Sequence, residues 1–159
     1  MKILALDNAT VNCGYAIYNG SKLTDSGVLT ASKSKHIDER LEVLRSGILG
    51  LITAHNIEQI VFEDTMLTAR GHNNLQTFKK LCWLQGMIVG ICFEKKINYY
   101  IYLPSSWRSN IGFLKGHNLN RETQKKLAID FAKKQYCKDV TDDEAEAICI
   151  GHSHIHLKF

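Results

Sequence analysis

Two short apolar runs, each closed by a carboxylate, constrain this chain more than any other feature. Ile3-Leu4-Ala5-Leu6 ends at Asp7, and Ile60-Val61-Phe62 ends at Glu63. Runs of this length bounded by polar residues have the size of buried strands. A carboxylate closing such a run belongs where the strand leaves its sheet. Between the two runs, Gly14-Tyr15-Ala16-Ile17-Tyr18 and residues 23–29 read as further strands. They are joined at Asn19-Gly20, the strongest short hairpin signal, because both turn positions need positive φ and these residues tolerate it. Residues 38–55 carry apolar side chains at Leu41, Leu44, Ile48, Leu51 and Ile52, a helical period interrupted by Gly47 and Gly50.

The second run extends to a strand over 57–62. A polar loop through Gly71 leads to a long helix over 74–95, a fifth strand over 97–103, a basic helix over 120–136 and a last helix over 142–154. Three meandering strands followed by alternating helix and strand favour an α/β fold, a mixed five-stranded sheet with helices on both faces. The 159 residues, 45% hydrophobic with a single proline, suit one folded domain over 1–159 rather than two domains or a disordered chain. The opening apolar run stops at Asp7, far short of a signal sequence or a membrane span of about 20 residues. Five cysteines without a CxxC pair suit ordinary thiols in a reducing compartment. The expectation is a soluble cytoplasmic protein with no membrane partner.

Charge is distributed unevenly. Residues 71–138 hold 12 Lys/Arg against 3 Asp/Glu, whereas the first 70 residues hold 7 against 8 and residues 139–159 hold 1 against 5. Such a basic middle is either a solvated face or the footprint of a polyanionic partner. A third acidic feature, Asp142-Asp143-Glu144-Ala145-Glu146, opens the last helix, where acidic residues also stabilise the helix dipole. Asp142 and Asp143 lie four and three residues before Glu146, so either pair shares one helix face. Open α/β sheets gather their sites at strand ends, and Asp7, Glu63 and one of these pairs can converge there. Clustered carboxylates repel unless divalent cations compensate them. Hard oxygen donors suit Mg²⁺ or Mn²⁺. Two such ions about 3.5–4 Å apart can activate a water and stabilise the leaving oxygen of a phosphodiester.

The same residues carry a family resemblance. Leu4-Ala5-Leu6-Asp7 with Gly14-Tyr15-Ala16, then Ile60-Val61-Phe62-Glu63-Asp64, then Asp143-Glu144-Ala145-Glu146-Ala147 resemble, in order and spacing, the RuvC-type Holliday-junction resolvases, particularly their compact phage forms. The likeness takes in Asn74-Leu75-Gln76-Thr77-Phe78-Lys79-Lys80-Leu81 with Gln85-Gly86, and Pro104-Ser105-Ser106-Trp107-Arg108, and so spans nearly the whole chain. It implies an RNase H-like fold, a homodimer, and Mg²⁺-dependent paired nicking of four-way and other branched DNA junctions. Mn²⁺ would substitute, and each site would hold two ions. Carried over by position, Asp7, Glu63, Asp143 and Glu146 are the catalytic, metal-binding carboxylates, with Glu146 standing where the family more usually has aspartate. The family pattern prefers Asp143 to Asp142, which is left near the helix cap. The basic residue after the fifth strand falls near Arg108, a phosphate contact, and the wedge residue that enters the junction falls near Met66. The implied setting is the cytoplasm of a bacterium or a phage-infected host cell, with a helicase partner unspecified.

Other residues have quieter explanations beside the functional one. Lys79, Lys80, Lys115, Arg121, Lys125 and Lys126 fit either phosphate contacts or solvated helix faces. Trp83 and Phe78 fit the core or a dimer interface. His152, His154 and His156 alternate without the cysteine spacing of a zinc site, and His152 is a candidate for proton transfer. Two other functions stand as alternatives. One is a junction-binding protein that does not cut. The other is a nucleotide-binding phosphotransferase, whose phosphate loop would need a glycine that Asp7-Asn8-Ala9-Thr10 lacks.

Overall fold

The computed structural model describes residues 1–67, 72–113 and 119–157. Strands β1 (Lys2–Asp7), β2 (Asn12–Asn19) and β3 (Lys22–Thr30) form the expected meander. They are followed by α1 (Ile37–His55), β4 (Gln59–Glu63), α2 (His72–Lys95), β5 (Asn98–Tyr102), α3 (Pro104–Asn110), α4 (Arg121–Tyr136) and α5 (Asp142–Ile155). The strands lie in the order β3-β2-β1-β4-β5. Strand β1 pairs antiparallel with β2 and parallel with β4, and β4 pairs parallel with β5, so the sheet is mixed. Among the described residues, no helix is long and apolar enough to cross a membrane.

Two details differ from the sequence reading. Asn19 pairs with Lys22, so the hairpin turn is Gly20-Ser21, with Gly20 at φ 60° and Asn19 still in its strand. A glycine at the first central position supports a two-residue turn by itself, which moves the turn one residue along. Helix α3 was not foreseen. Its seven residues are too few for a helical period, and the cue it offers is Pro104 at the first helical position, where a missing N–H costs nothing.

Strand alternation decides which side of the sheet each carboxylate faces. Leu4 and Leu6 of β1 join Ile60 and Phe62 of β4 in a core with Leu44 and Ile48 of α1 and Leu84 and Ile88 of α2. Ile3, Ala5 and Val61 point the other way, into a core with Trp107 of α3, Ala128 and Ala132 of α4, and Ala145 and Ile148 of α5. Asp7 shares the parity of Ile3 and Ala5, and Glu63 that of Val61. The period of two therefore turns both carboxylates toward the layer of α3, α4 and α5.

Small residues on that side let α5 lie close. Gly14 pairs with Asp7 across β1 and β2, and a Cβ on it would stand 1.9 Å from the carbonyl oxygen of Asp143. A Cβ on Gly151 would stand 2.4 Å from Cε2 of Tyr18. The Tyr18 hydroxyl donates to the Ile148 carbonyl at 2.7 Å and ties β2 to the middle of α5. Because the obstacle at Gly14 is backbone, Gly14→Ala must displace the start of α5. The expected loss is about 2–3 kcal/mol, or roughly 5–10 °C in Tm for a chain of this size. In the same thermal unfolding series Gly50→Ala, whose Cβ meets nothing within 4 Å, should be neutral or stabilising by up to about 1 kcal/mol.

Candidate active site

Asp7 ends the central strand and meets three other carboxylates. Its carboxyl is held well above the usual aspartate range, first by burial and then by repulsion from Glu146, Glu63 and Asp143, while Arg108 opposes the shift. Two strand ends and the start of α5 thus bring three further acids within electrostatic reach of Asp7. Glu63 and Glu146 are raised as well, chiefly by burial, and Asp143 is raised by burial and by Asp142.

Helix α3 supplies the opposing donors from adjacent residues. Arg108 places Nη2 3.5 Å from Oε2 of Glu63 and 3.4 Å from Oε1 of Glu146. Its guanidinium carbon rests 4.5 Å from the centre of the Trp107 ring, a cation–π contact that steadies it. Trp107 is buried, and its Nε1 donates to the same Glu63 oxygen at 2.5 Å.

The acidic cluster of α5 divides by partner. The Thr141 side chain caps the helix by accepting from the Glu144 N–H. Asp142 is ion-paired with Lys125 of α4, which holds its carboxyl below the usual range. Glu144 accepts from the Ser26 hydroxyl at 2.7 Å. Asp143 and Glu146 remain for the site. Thr141 is the cap residue, while Asp142, as expected beside the cap, accepts from the first backbone N–H groups of the helix and also joins α5 to α4.

The strand ends are themselves held. Asn8 donates through Nδ2 to the Glu63 carbonyl at 3.1 Å and bridges the ends of β1 and β4. Gln85 of α2 donates to Oδ1 of Asp64 and accepts from the Thr65 N–H, both at 3.1 Å, which fixes the turn after Glu63. A cleft of about 340 Å³ opens here, its lining including Asp7, Asn8, Glu63, Met66 and Arg108.

Among the described residues, no group of three or more His, Cys, Asp or Glu side chains is placed to hold a metal ion as it stands. The Arg108 guanidinium stands between two of the acids instead. The donor set nevertheless suits a hard divalent cation. It gathers four carboxylates driven toward protonation for want of positive charge, together with Oδ1 of Asn8, which is buried with no hydrogen-bond partner among the described residues.

No protein-family model matches the chain, but known proteins do. It is 30% identical over 158 residues to the crossover junction endodeoxyribonuclease RuvC of Aliarcobacter butzleri, covering 96% of this chain and 98% of that protein. The chain belongs to the RuvC family. A RuvC from Clostridioides difficile is 25% identical over 159 residues, covering 97% of this chain and 92% of the relative. Solved structures agree on the fold. The Thermus thermophilus RuvC bound to a Holliday junction substrate matches with a TM-score of 0.75 at 15% identity, covering 97% of this chain and 92% of that one. The yeast mitochondrial Holliday junction resolvase Ydc2 matches with a TM-score of 0.59 at 14% identity, covering 96% and 77%. The chain has the RNase H-like fold of RuvC, as the resemblance implied, and the phosphotransferase reading is set aside.

Within this RuvC fold the other candidates separate. Met66 lies on the rim of the cleft, 53% exposed. Arg121 opens α4, is exposed, and lies near enough to pull down the carboxyls of Glu63, Asp143 and Glu146. On α2, Lys79 is exposed and Lys80 half-buried. Lys115 lies outside the described residues. Lys125 is engaged by Asp142. Trp83 does not pack in the core, being 52% exposed.

The alternating histidines diverge. His152 Nδ1 meets the Tyr136 hydroxyl at 2.7 Å, whereas His154 reaches Tyr102 and Gln59. No zinc site assembles from them among the described residues, and burial with His156 pushes His152 down to about 4. Sequence reasoning missed Trp107, Asn8 and Gln85 as supports of the site. For Trp107 a cue existed, since a buried indole N–H needs an acceptor, but nothing pointed to a glutamate 44 residues away.

The raised carboxyls have a consequence for stability. An acid whose pKa rises on folding binds its proton more tightly in the native state. Its charge therefore opposes folding increasingly as pH climbs from the ordinary carboxylate range through the raised value. Without metal, Asp7→Asn should raise Tm above that of the parent, and the difference should widen as pH climbs from the ordinary carboxylate range through neutrality. Thermal unfolding in a chelator checks this, and equal Tm values across that range would contradict it.

Proposed function

We propose that this chain is a structure-selective endonuclease that resolves four-way DNA junctions by paired nicks, with Asp7, Glu63, Asp143 and Glu146 as its divalent-cation ligands. The reading rests above all on the convergence of four half-buried carboxylates at the strand ends of a RuvC-family chain. Its curated relatives are named as crossover junction endodeoxyribonucleases, and one matched structure holds a Holliday junction substrate. Mg²⁺, or Mn²⁺ in its place, as two ions in each site, supplies Lewis acidity toward water and phosphodiester when bound.

The chain's own residues do the rest. Trp107 holds Glu63 in one orientation, and Glu146, with a longer reach, stands where the family more usually has aspartate. Arg108 neutralises Glu63 and Glu146 in the metal-free protein. Once their charge is met otherwise, its guanidinium is available to a DNA phosphate at the edge of the cleft. Arg121, Lys79, Lys80 and Lys115 belong to the basic middle that would follow the DNA arms, and Met66 on the rim would enter the junction.

Paired nicks call for two sites, and α2 supports a homodimer. Trp83 is 52% exposed and Phe93 70% exposed. Gly86 and Gly90 fall between them at helical spacing, and a Cβ at either meets nothing within 4 Å. An apolar helix face with small residues at its centre suits close packing against a second copy. Trp83→Lys should convert the dimer to monomer in sedimentation at micromolar concentration, while a surface change such as Glu42→Gln leaves the mass unchanged.

Incubation of labelled four-way junction with and without Mg²⁺ tests the nuclease directly. Asp143→Asn should cut at least about a hundredfold more slowly while still binding the junction. Asp142→Asn should lose up to about 1 kcal/mol of stability with a modest loss of rate. A dead Asp142→Asn beside an active Asp143→Asn would move the site by one residue. Tight binding by the parent with no metal-dependent product would favour the non-cleaving junction binder.

A further inference from the structure

The turn after β1 carries an oxygen that accepts from no group among the described residues. Asn8 follows Asp7 directly, and its Nδ2 donates to the Glu63 carbonyl at 3.1 Å. A carbonyl cannot donate, so this contact orients the amide with nitrogen toward β4 and leaves Oδ1 as the free end. Oδ1 is buried and without a partner among the described residues. A buried acceptor is costly to leave unsatisfied, so this oxygen is disposed to meet a donor or a cation.

The surroundings narrow what that is. Asn8 lines one cleft with Asp7, Glu63, Asp64 and Arg108. Ionised carboxylates only accept hydrogen bonds. Oδ1 of Asp64 is already taken by the Thr65 N–H and Gln85, and Arg108 is engaged by Glu63 and Glu146. An acceptor among acceptors is satisfied by a cation or by a water that the cation orients. A neutral amide oxygen can serve without adding charge to a site that already gathers four acids.

We propose that Asn8 contributes Oδ1 as a further protein oxygen to the divalent cation held at these carboxylates, directly or through one of its bound waters. The inference rests on the metal-dependent nuclease reading above. One amide then does two things. Its nitrogen ties β1 to β4, and its oxygen faces the ion.

The two roles separate in a Mn²⁺ titration of the DNA-free full chain, followed by the electron paramagnetic resonance of free Mn²⁺. Asn8→Ala should weaken Mn²⁺ binding by about tenfold. Asn8→Asp keeps an oxygen there but loses the N–H, and should bind Mn²⁺ at least as tightly as the parent. Where the contact is direct, europium luminescence lifetimes in H₂O and D₂O should count one more bound water in Asn8→Ala. Parent-like binding by Asn8→Ala, or equal weakening in both variants, overturns the proposal, since the second result assigns the whole effect to the Glu63 carbonyl contact. If Asn8→Ala fails to fold in a chelator melt, Asn8→Asp decides alone, and weaker binding than the parent overturns it. A parent that binds no Mn²⁺ overturns the metal reading itself, and the role of Asn8 with it.

Discussion

Helix α5 meets strand β2 backbone to backbone at Gly14, and the site depends on that contact. Gly14 lies opposite Asp7 in the ladder, and the space its side chain would take is filled by the Asp143 carbonyl. With Gly151 against Tyr18 repeating the approach further along, α5 lies flat over the sheet with its first turns above the strand ends. Asp143 and Glu146 then act on the carboxyl of Asp7, and Arg108 stands between Glu146 and Glu63. A larger residue at position 14 would lift the helix and separate the two pairs.

The arrangement is unfavourable in electrostatic terms. Burial raises all four carboxyls, repulsion within the cluster adds to it at Asp7 and Glu63, and the Arg108 guanidinium, with Arg121, offsets part of this. Helix α3 contributes that guanidinium and also the indole that grips Glu63, so seven residues carry much of the counterbalance. Strain of this kind, kept in place by surrounding structure, is what a cation at the proposed site would relieve. The neighbouring acids are kept out of it. Asp142 is drawn to Lys125 and Glu144 to Ser26, and each of these contacts also fastens α5 to the rest of the fold.

How much was legible in the chain follows from the range of each interaction. Asp7 and Glu63 were readable because alternation and the end of an apolar run are local signals, and the same parity explains why both face α5. The mixed sheet followed from the order of its elements. Whether Asp142 or Asp143 faces the strand ends was not readable from spacing. In the structure Lys125, on another helix, pairs with Asp142, while Asp143 lies near enough to Asp7 to raise its carboxyl. The hairpin turn shifted by one residue because Gly20 alone sufficed for it. Trp107 and Asn8 were missed because their partners depend on which strand ends become neighbours. Trp83 was ambiguous because an apolar helix face looks the same in sequence whether a core or a second chain covers it.

The central claim is that α5, set down on Gly14, brings Asp143 and Glu146 to the ends of β1 and β4 to form one cation site. Anomalous diffraction at the manganese edge, from crystals of the DNA-free protein soaked in Mn²⁺, tests it most directly. The account predicts anomalous density within coordination distance of Asp7 and Glu63 and of at least one of Asp143 and Glu146, with Arg108 withdrawn from between Glu63 and Glu146. Density confined to Asp142 and Glu144, or anywhere away from the end of β1, would contradict it.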